Sequence, residues 1–308
     1  MVFSVLIPAY NVESYIRKCL DSIKHQLFAD FEAIIIDDGS TDRTLQICKE
    51  YESCDKRFNV YHQDNVGIVN TRNRLLELAK GEWVTFLDAD DYVKDNYLLS
   101  FYKCQEANAK ADVLVADYIM WKGGNAFSAV RSAFADKRSY LKMLLGWRKT
   151  NTALWGKAIR MELIKNRSLK FESGIVLGED LCFISRLFYF ACEIIHIPVE
   201  TYVWNRCNVD SITHREYLWG DYIRLYETIY SFYSNQPDYN YFKKTLSNTI
   251  VRAMETVYLY SHKGDFGRLP TMIDNRDLTI INKVRYFCCM RGHYNLVSFF
   301  EKIVRRLS

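Results

Sequence analysis

The chain has no apolar run near the ~20 residues that a membrane span needs. Its first residues, Met1 to Ile7, carry no basic segment before the apolar one, so no signal peptide is predicted. The nine cysteines are an odd number, and none forms a Cys-x-x-Cys pair. The number and spacing of the cysteines favour reduced thiols over a disulfide framework or a zinc site, so we expect a cytoplasmic protein.

Two further classes of protein lack their sequence signatures here. No Gly-x-Gly-x-x-Gly follows the first predicted strand, where Pro8-Ala9-Tyr10-Asn11 stands instead, which excludes a dinucleotide-dependent oxidoreductase. The net charge is +4, and residues 275–308 alone hold seven Lys or Arg against two Asp or Glu, a net charge of +5. No nucleic-acid-binding motif accompanies this basic segment, so no nucleic-acid partner is expected.

The first 120 of the 308 residues alternate predicted strands with predicted helices. The first helix places Ile16, Leu20, Ile23 and Leu27 on one face, with Asn11 positioned as its cap. This order predicts an α/β fold with a mostly parallel sheet flanked by helices, whose ligands bind beyond the carboxyl ends of the strands. The predicted strands are Phe3–Ile7, Glu32–Ile36, Asn59–His62, Glu82–Leu87 and Asp112–Tyr118.

The rest of the chain is mixed and then helical. Helices are predicted near Ser139–Leu145 and at Glu179–Phe190, and strands at Glu193–Ile197 and Thr201–Trp204. After about Glu216 the pattern is helical and rich in Tyr and Phe. We therefore predict a ligand-binding domain over residues 1–215 and a helical C-terminal region over 216–308.

Three carboxylates, Asp88, Asp90 and Asp91, directly follow the apolar strand Trp83-Val84-Thr85-Phe86 and Leu87. Hard divalent cations such as Mg²⁺ or Mn²⁺ prefer such oxygen-rich sites and usually arrive together with phosphate groups. The alternative is an acidic turn in which Asp91 caps the next helix. These residues alone leave both interpretations open.

A second acidic turn, Asp37-Asp38-Gly39-Ser40, follows the apolar strand Ala33–Ile36. A carboxylate at a strand end can accept the imide N–H of uracil. The simpler interpretation is a tight turn at Gly39 with Ser40 capping a helix.

The order and spacing of these motifs resemble those of the family 2 glycosyltransferases, over roughly residues 1–215. The closest likeness is to bacterial enzymes that build capsule, lipopolysaccharide or exopolysaccharide repeats. The resemblance implies a GT-A fold and transfer of a sugar with inversion of its anomeric configuration. The matching segments are Val5-Leu6-Ile7-Pro8-Ala9-Tyr10-Asn11, Ile36-Asp37-Asp38-Gly39-Ser40-Thr41-Asp42, Gly67 with Arg72-Asn73, Asp88-Ala89-Asp90-Asp91 and Gly178-Glu179-Asp180.

The resemblance also implies roles for individual residues on the donor side. Asp90 is the expected direct ligand of Mn²⁺ or Mg²⁺, and Asp88 is expected to contact the ribose or sugar, or the metal through water. His214 is a further candidate for the metal shell or the diphosphate, and the alternative is a lone surface histidine. Uracil recognition falls on Asp38, with Asp37 close behind. Arg72 is expected to hold the nucleotide or its phosphates, against the alternative of a solvated helix arginine. The implied nucleotide and donor contacts are Pro8, Ala9, Tyr10, Asp37, Asp38, Arg72, Asp88 and Ala89.

On the acceptor side, the resemblance assigns Asp180 as the general base that activates the attacking hydroxyl, with Glu179 positioning the substrate. The alternative is that both acids simply favour a helix N-terminus. Trp155 and Lys157 are candidates for contacts with the acceptor or the donor sugar, because Trp stacks on sugar faces and Lys meets phosphate. An ordinary buried tryptophan explains Trp155 equally well.

The basic tail interleaves cations with aromatic residues. This pattern fits an amphipathic helix on the anionic inner face of the cytoplasmic membrane, or an appendage packed on the catalytic domain or on a second subunit, giving a homo-oligomer. The residues are Lys283, Arg285, Arg291, Lys302, Arg305 and Arg306, with Tyr286, Phe287, Tyr294, Phe299 and Phe300.

Together these features predict a metal-dependent glycosyltransferase that moves a hexosyl or N-acetylhexosaminyl group from a nucleotide-sugar. The expected donor is a UDP-sugar, and the acceptor is a saccharide, lipid-linked or protein-linked, in surface polysaccharide or glycoconjugate synthesis. The alternative is a non-catalytic scaffold that has kept the fold and binds sugar nucleotides.

Overall fold

The computed structural model describes residues 1–124, 127–131, 133–146, 151–175, 177–208, 219–261 and 269–291. The chain divides into two compact units that are interleaved along the sequence. The first comprises Met1–Tyr140, Lys149–Ser173 and Leu187–Arg215, and the second comprises Leu141–Arg148, Gly174–Arg186 and Glu216–Ser308. In the described part of the chain, no helix is both long and apolar enough to cross a bilayer.

A single sheet organises the first unit, and nine strands belong to it within the described residues. The order is β3-β2-β1-β4-β8-β6-β9-β5, with β7 paired to β6. The strands are β1 (Phe3–Ala9), β2 (Phe31–Asp38), β3 (Phe58–Gln63), β4 (Trp83–Phe86), β5 (Tyr92–Val93), β6 (Ala111–Trp121), β7 (Phe127–Val130), β8 (Lys157–Arg160) and β9 (Glu193–Asn205).

Helices follow the strands of the first unit in sequence, as the alternating pattern predicts. They are α1 (Ile16–Lys24), α2 (Thr44–Cys54), α3 (Ile68–Leu78), α4 (Tyr97–Ala107) and α6 (Met161–Arg167). Two helices, α5 (Lys137–Gly146) and α7 (Glu179–Tyr189), contribute residues to both units. The second unit contains α8 (Trp219–Ser234), α9 (Tyr239–Ser261), the 3-10 turns Leu269–Met272 and Asn275–Asp277, and α10 (Ile280–Arg291).

The sheet is mixed. β1 pairs in parallel with β2 and β4, and β2 pairs in parallel with β3, as βαβ connections require. β8 and β7 then pair antiparallel with their neighbours, while β6 and β9 run parallel. The parallel half therefore brings the carboxyl ends of β1, β2 and β4 to one edge.

Three local predictions differ from the structure. The two predicted strands after residue 192 form one strand, β9, because Pro198 lies where the register with β6 shifts between Ala116 and Asp117, and such a bulge tolerates a residue without an N–H. Helix α1 begins at Ile16 with Tyr15, not Asn11, at its N-cap. It ends at Lys24, so Leu27 lies beyond it and is 67% exposed.

The core of the first unit lies between this sheet and its helices. β1 and β2 are buried along their whole length, which is typical of parallel strands covered on both faces. Aromatic rings continue the core: Tyr97 contacts both Phe101 and Tyr202 edge to face. The strand ends that follow are therefore held by rigid, fully buried segments.

Gly81 shows how closely the chain approaches β1. A Cβ at this position would lie 2.5 Å from the backbone nitrogen of Ser4, and the Gly81 N–H donates to Ser4 Oγ at 2.8 Å. Because the obstruction is backbone, it cannot rotate away. We expect Gly81→Ala to lower the free energy of unfolding by roughly 1–3 kcal/mol, measured by urea denaturation.

Gly220 provides the matched control. It lies in the first turn of α8, and an added Cβ there meets no atom within 4 Å. Gly220→Ala should leave stability unchanged or slightly raised, since alanine favours helix. Equal midpoints for the two variants would contradict the steric argument.

Candidate active site

The loops after β1 and β2 are tied together by side-chain hydrogen bonds. Asn11 has a positive φ of 51° and accepts from the Thr41 N–H at 2.8 Å through Oδ1, while its own N–H donates to Ser40 Oγ at 3.0 Å. The Glu13 N–H donates to Asp42 Oδ2 at 3.0 Å. Asn11 therefore fixes the loop pair rather than capping α1.

The predicted nucleotide contacts of β1 lie at this edge with different exposures. Ala9 is 2% exposed and pairs in register with Asp37 of β2, and Pro8 is buried in the same strand. Tyr10, the next residue, is 46% exposed. The aromatic ring of Tyr10 is thus the accessible side chain of this segment.

Asp37 is fully buried at the end of β2. Its Oδ2 lies 2.8 Å from Nδ1 of His62 in β3 and accepts from the Ser40 N–H at 3.3 Å. Its Oδ1 has no hydrogen-bond partner among the described residues. A buried carboxylate oxygen without a hydrogen-bond donor costs free energy.

Asp38 holds the segment that leads into α3. Its Oδ1 accepts from Gln63 Nε2 at 2.7 Å and from the Val66 N–H at 3.0 Å, and its Oδ2 accepts from the Gly67 N–H at 2.9 Å. Gly67 needs its positive φ of 83° to open α3 in this conformation. One carboxylate thus fixes the start of the helix that carries Arg72.

Arg72 is buried in the second turn of α3, 4% exposed, which rules out the solvated helix arginine. Its Nη2 lies 3.6 Å from Asp88 Oδ1, and its guanidinium lies 5.7 Å from the centre of the Phe171 ring. The structure therefore brings together two predicted donor-binding residues from α3 and from the end of β4.

Asp90 is held by residues at and beyond the end of β9. Asn208 donates from Nδ2 to Asp90 Oδ2 at 2.8 Å, and Asn205 donates from Nδ2 to the Asp90 carbonyl at 3.0 Å. Sequence reasoning missed both asparagines, because more than a hundred residues separate them from Asp90 and nothing local marks them.

Asp91 does not cap the next helix: α4 has Asn96 at its N-cap. Asp91 is 2% exposed and accepts from the hydroxyl of Tyr202 and from the Asn205 N–H at 2.7 Å, which anchors the acidic loop to β9. Burial, with the charges of Asp88 and Asp90, raises the pKa of the Asp91 carboxyl well above its usual range. Ala89 between them is packed in the core.

The carboxylate oxygens of Asp88 and Asp90 are of the kind that a hard cation prefers. Within the described residues, no group of three or more His, Cys, Asp or Glu side chains forms a complete metal cage. Mg²⁺-type ions are usually held by one or two carboxylates together with substrate phosphates. Asp88 and Asp90 are both partly exposed and lie within one loop that concentrates negative charge. The residues present therefore fit such an ion.

Trp155 and Lys157 have the contacts of interior residues. Trp155 is 5% exposed and stacks on Tyr202 with ring centres 4.4 Å apart and an interplanar angle of 8°. Lys157 is fully buried, and its Nζ donates to the carbonyls of Asn151 and Ala153 at 3.1 and 2.6 Å. These contacts favour the interpretation of Trp155 as an ordinary buried tryptophan.

Glu179 and Asp180 form the first turn of α7 and belong to the second unit. Both are partly exposed. Gly178, with φ of 67°, precedes them, and its carbonyl accepts from the Cys182 N–H at 2.8 Å. His214 lies outside the described residues, as do Lys302, Arg305, Arg306, Tyr294, Phe299 and Phe300.

Comparisons with known proteins agree on one family. Residues 4–172 match the model described as "Glycosyl transferase family 2". The EpsH protein of Bacillus subtilis, named as a glycosyltransferase, is 31% identical over 257 residues, covering 80% of this chain and 74% of EpsH. The poly(ribitol-phosphate) beta-N-acetylglucosaminyltransferase TarS of Staphylococcus aureus (strain Mu50) is 31% identical over 209 residues, covering 66% of this chain but only 35% of TarS.

Solved structures show the same fold. The crystal structure of S. aureus TarS 1-349 in complex with UDP-GlcNAc matches with a TM-score of 0.75 and 20% identity, covering 99% of this chain and 92% of that one. The mannosyltransferase PcManGT from Pyrobaculum calidifontis, in complex with GDP-Man and Mn²⁺, matches with a TM-score of 0.56 and 15% identity, covering 98% and 86%. The GT-A fold expected from the motifs is confirmed.

The Asp38 contacts generate a prediction for backbone dynamics. Asp38→Ala removes the acceptor of the Val66 and Gly67 amides, so their hydrogen exchange should accelerate roughly tenfold or more. Amide exchange followed by mass spectrometry or NMR measures this directly.

Asp42→Ala is the control, because Asp42 accepts from the Glu13 and Thr44 amides in the neighbouring loop. It should leave Val66 and Gly67 protected. Unchanged exchange at these two amides in Asp38→Ala would contradict the anchoring role.

Proposed function

The chain belongs to the family 2 glycosyltransferases, and we propose that it is an inverting enzyme that transfers a sugar from a UDP-sugar to a saccharide acceptor. One observation carries the proposal: several polar groups lie at a single edge of the sheet. They are the buried Asp37, the start of α3 that Asp38 anchors, the Arg72–Asp88 pair and Asp90. A nucleoside diphosphate presents matching groups in the same order, namely a base with N–H donors, a ribose and an anionic diphosphate.

The donor class follows from this edge and from the relatives. Asp37 and Asp38 supply carboxylate oxygens at the base end, and Arg72 supplies a planar cation beside Asp88 toward the ribose and phosphates. TarS is named for transfer of N-acetylglucosamine and has been solved with UDP-GlcNAc. We propose a UDP-hexose or UDP-N-acetylhexosamine donor.

Asp90, with Asp88, is proposed to hold Mn²⁺ or Mg²⁺ in the manner of a D-x-D motif. When bound, such an ion offsets the negative charge that grows on the departing nucleoside diphosphate. The protein holds these acids in position. Asn208 hydrogen-bonds to the Asp90 side chain, Asn205 hydrogen-bonds to the Asp90 backbone, and Asp91 anchors the loop to β9.

Asp180 is proposed as the general base. It lies in the first turn of α7, a favoured position for a carboxylate. The Asp180 carboxylate takes the proton of the acceptor hydroxyl, whose oxygen attacks the anomeric carbon from the face opposite the diphosphate. The C–O bond to the diphosphate breaks as the new glycosidic bond forms, and the configuration inverts. Glu179 is proposed to position the acceptor.

The wider setting is proposed from the relatives and the sequence together. We propose a cytoplasmic enzyme of polysaccharide or glycoconjugate synthesis, with donor and acceptor binding within residues 1–215 and an accessory helical region over 216–308. A lipid-linked or protein-linked saccharide is the proposed acceptor.

A panel of UDP- and GDP-sugars tests the donor and the metal together. UDP-sugars should raise the melting temperature more in Mn²⁺ than in EDTA, because a ligand that binds only the folded state stabilises it. Asp90→Ala should remove the Mn²⁺-dependent part, whereas Asp95→Ala, which removes an exposed acid outside the site, should keep it. A full Mn²⁺-dependent shift in Asp90→Ala would refute the ligand assignment.

The base assignment has its own test. Asp180→Asn should lower the transfer rate roughly 10²–10⁴-fold, since an amide cannot accept the hydroxyl proton, while UDP binding by calorimetry stays unchanged. Glu179→Gln, on the same helical turn, should lose less rate. If Asp180→Asn kept most of its activity, another group would be the base.

A further inference from the structure

Helix α10 packs on α9 through polar side chains. Arg285, 7% exposed, donates from Nε to Oε1 of Glu255 at 3.1 Å. Asn282, 4% exposed, donates from Nδ2 to Oδ1 of Asn248 at 2.7 Å. Buried charge-assisted hydrogen bonds have a fixed geometry, so they determine which face of α10 is turned toward α9.

The exposed side of α10 carries two cations and five apolar side chains. The cations are Lys283 and Arg291, and the Arg291 guanidinium lies 5.5 Å from the centre of the Phe287 ring. The apolar side chains are Ile280 (85% exposed), Ile281 (43%), Val284 (37%), Phe287 (55%) and Met290 (49%). At 100° per residue these five positions share one half of the helix surface. Single exposed apolar residues are ordinary, but five within twelve residues form a patch of the kind that marks an interaction site.

The exposed charges on α10 itself have one sign. Lys283 and Arg291 are exposed on the same helix, and the sequence has no Asp or Glu from Leu278 to Phe300. A two-fold contact with a second copy would bring the same cations toward each other, which disfavours that arrangement. An anionic surface complements both the cations and the apolar side chains.

We propose that this face of α10, defined by Ile280, Ile281, Val284, Phe287 and Met290, docks on an anionic lipid bilayer. A twelve-residue helix is about 18 Å long and lies in the plane of the interface rather than crossing it. Its apolar side chains enter the boundary between headgroups and acyl chains, and Lys283 and Arg291 meet lipid phosphates. The inference stands on α10 alone and is independent of the proposed chemistry.

Vesicle flotation of the full chain tests the proposal. The protein should float with vesicles of phosphatidylcholine and phosphatidylglycerol, and much less with phosphatidylcholine alone or at high salt. Phe287→Ser should weaken binding to the anionic vesicles about tenfold or more. Leu27→Ser, which removes an apolar side chain that is 67% exposed in the first unit, should bind as the wild type does.

Charge variants separate the two contributions. Lys283→Glu should reduce flotation with anionic vesicles, whereas Lys110→Glu, at an exposed position after α4, should not. Thermal unfolding of each variant checks folding; both α10 positions are exposed, so wild-type melting temperatures are expected.

Three results would overturn the proposal. In the first, the wild type does not float with anionic vesicles, or Phe287→Ser floats with them as well as the wild type does. In the second, light scattering shows a dimer that Phe287→Ser dissociates, which makes the face a contact between copies. In the third, only a variant lacking residues 292–308 binds vesicles, which means that the chain's own C-terminal segment covers the face.

Discussion

The organising constraint of the first unit is the concentration of carboxylates at the ends of β2 and β4, the two strands that flank β1. Asp37 and Asp38 end the fully buried β2, and the Asp88–Asp91 loop follows the fully buried β4, so their positions are set by the core and not by a flexible surface. Such charge is tolerated only where hydrogen-bond donors or cations accommodate each group. Three donors hold Asp38, Arg72 approaches Asp88, and Tyr202 with Asn205 holds Asp91.

The same contacts separate acids that support the site from acids that can face a ligand. Asp38 and Asp91 accept hydrogen bonds from several protein donors and fix the backbone around them. Asp88 and Asp90 keep partial exposure, whereas Asp37 is fully buried. A cluster that looks uniform in sequence therefore contains carboxylates in different environments: Asp91 is buried and held by protein donors, whereas Asp88 and Asp90 remain partly exposed.

Much of this arrangement could be predicted from local pattern. The strands β1 to β4, their parallel pairing and the acidic turns at the ends of β2 and β4 follow from apolar runs broken by Asp and Gly, and the family followed from the order of the motifs. The antiparallel pairings of β8 with β4 and β6 were not predicted. Long-range partners could not be read in this way. Asn208, which donates a hydrogen bond to Asp90, lies 118 positions further along the chain. The burial of Lys157 depends on the backbone carbonyls of Asn151 and Ala153, which accept from its ammonium group. The two strands predicted after residue 192 form one strand because a bulge accommodates Pro198 where β9 pairs with β6.

The interleaving of the two units bears on how such a protein can diversify. Neither unit is a continuous stretch of chain, since 141–148 and 174–186 belong with the C-terminal helices while 187–215 returns to the sheet. A genetic exchange at any single junction would sever one unit from part of itself. New properties are therefore more readily acquired by point changes in loops than by exchange of one whole unit.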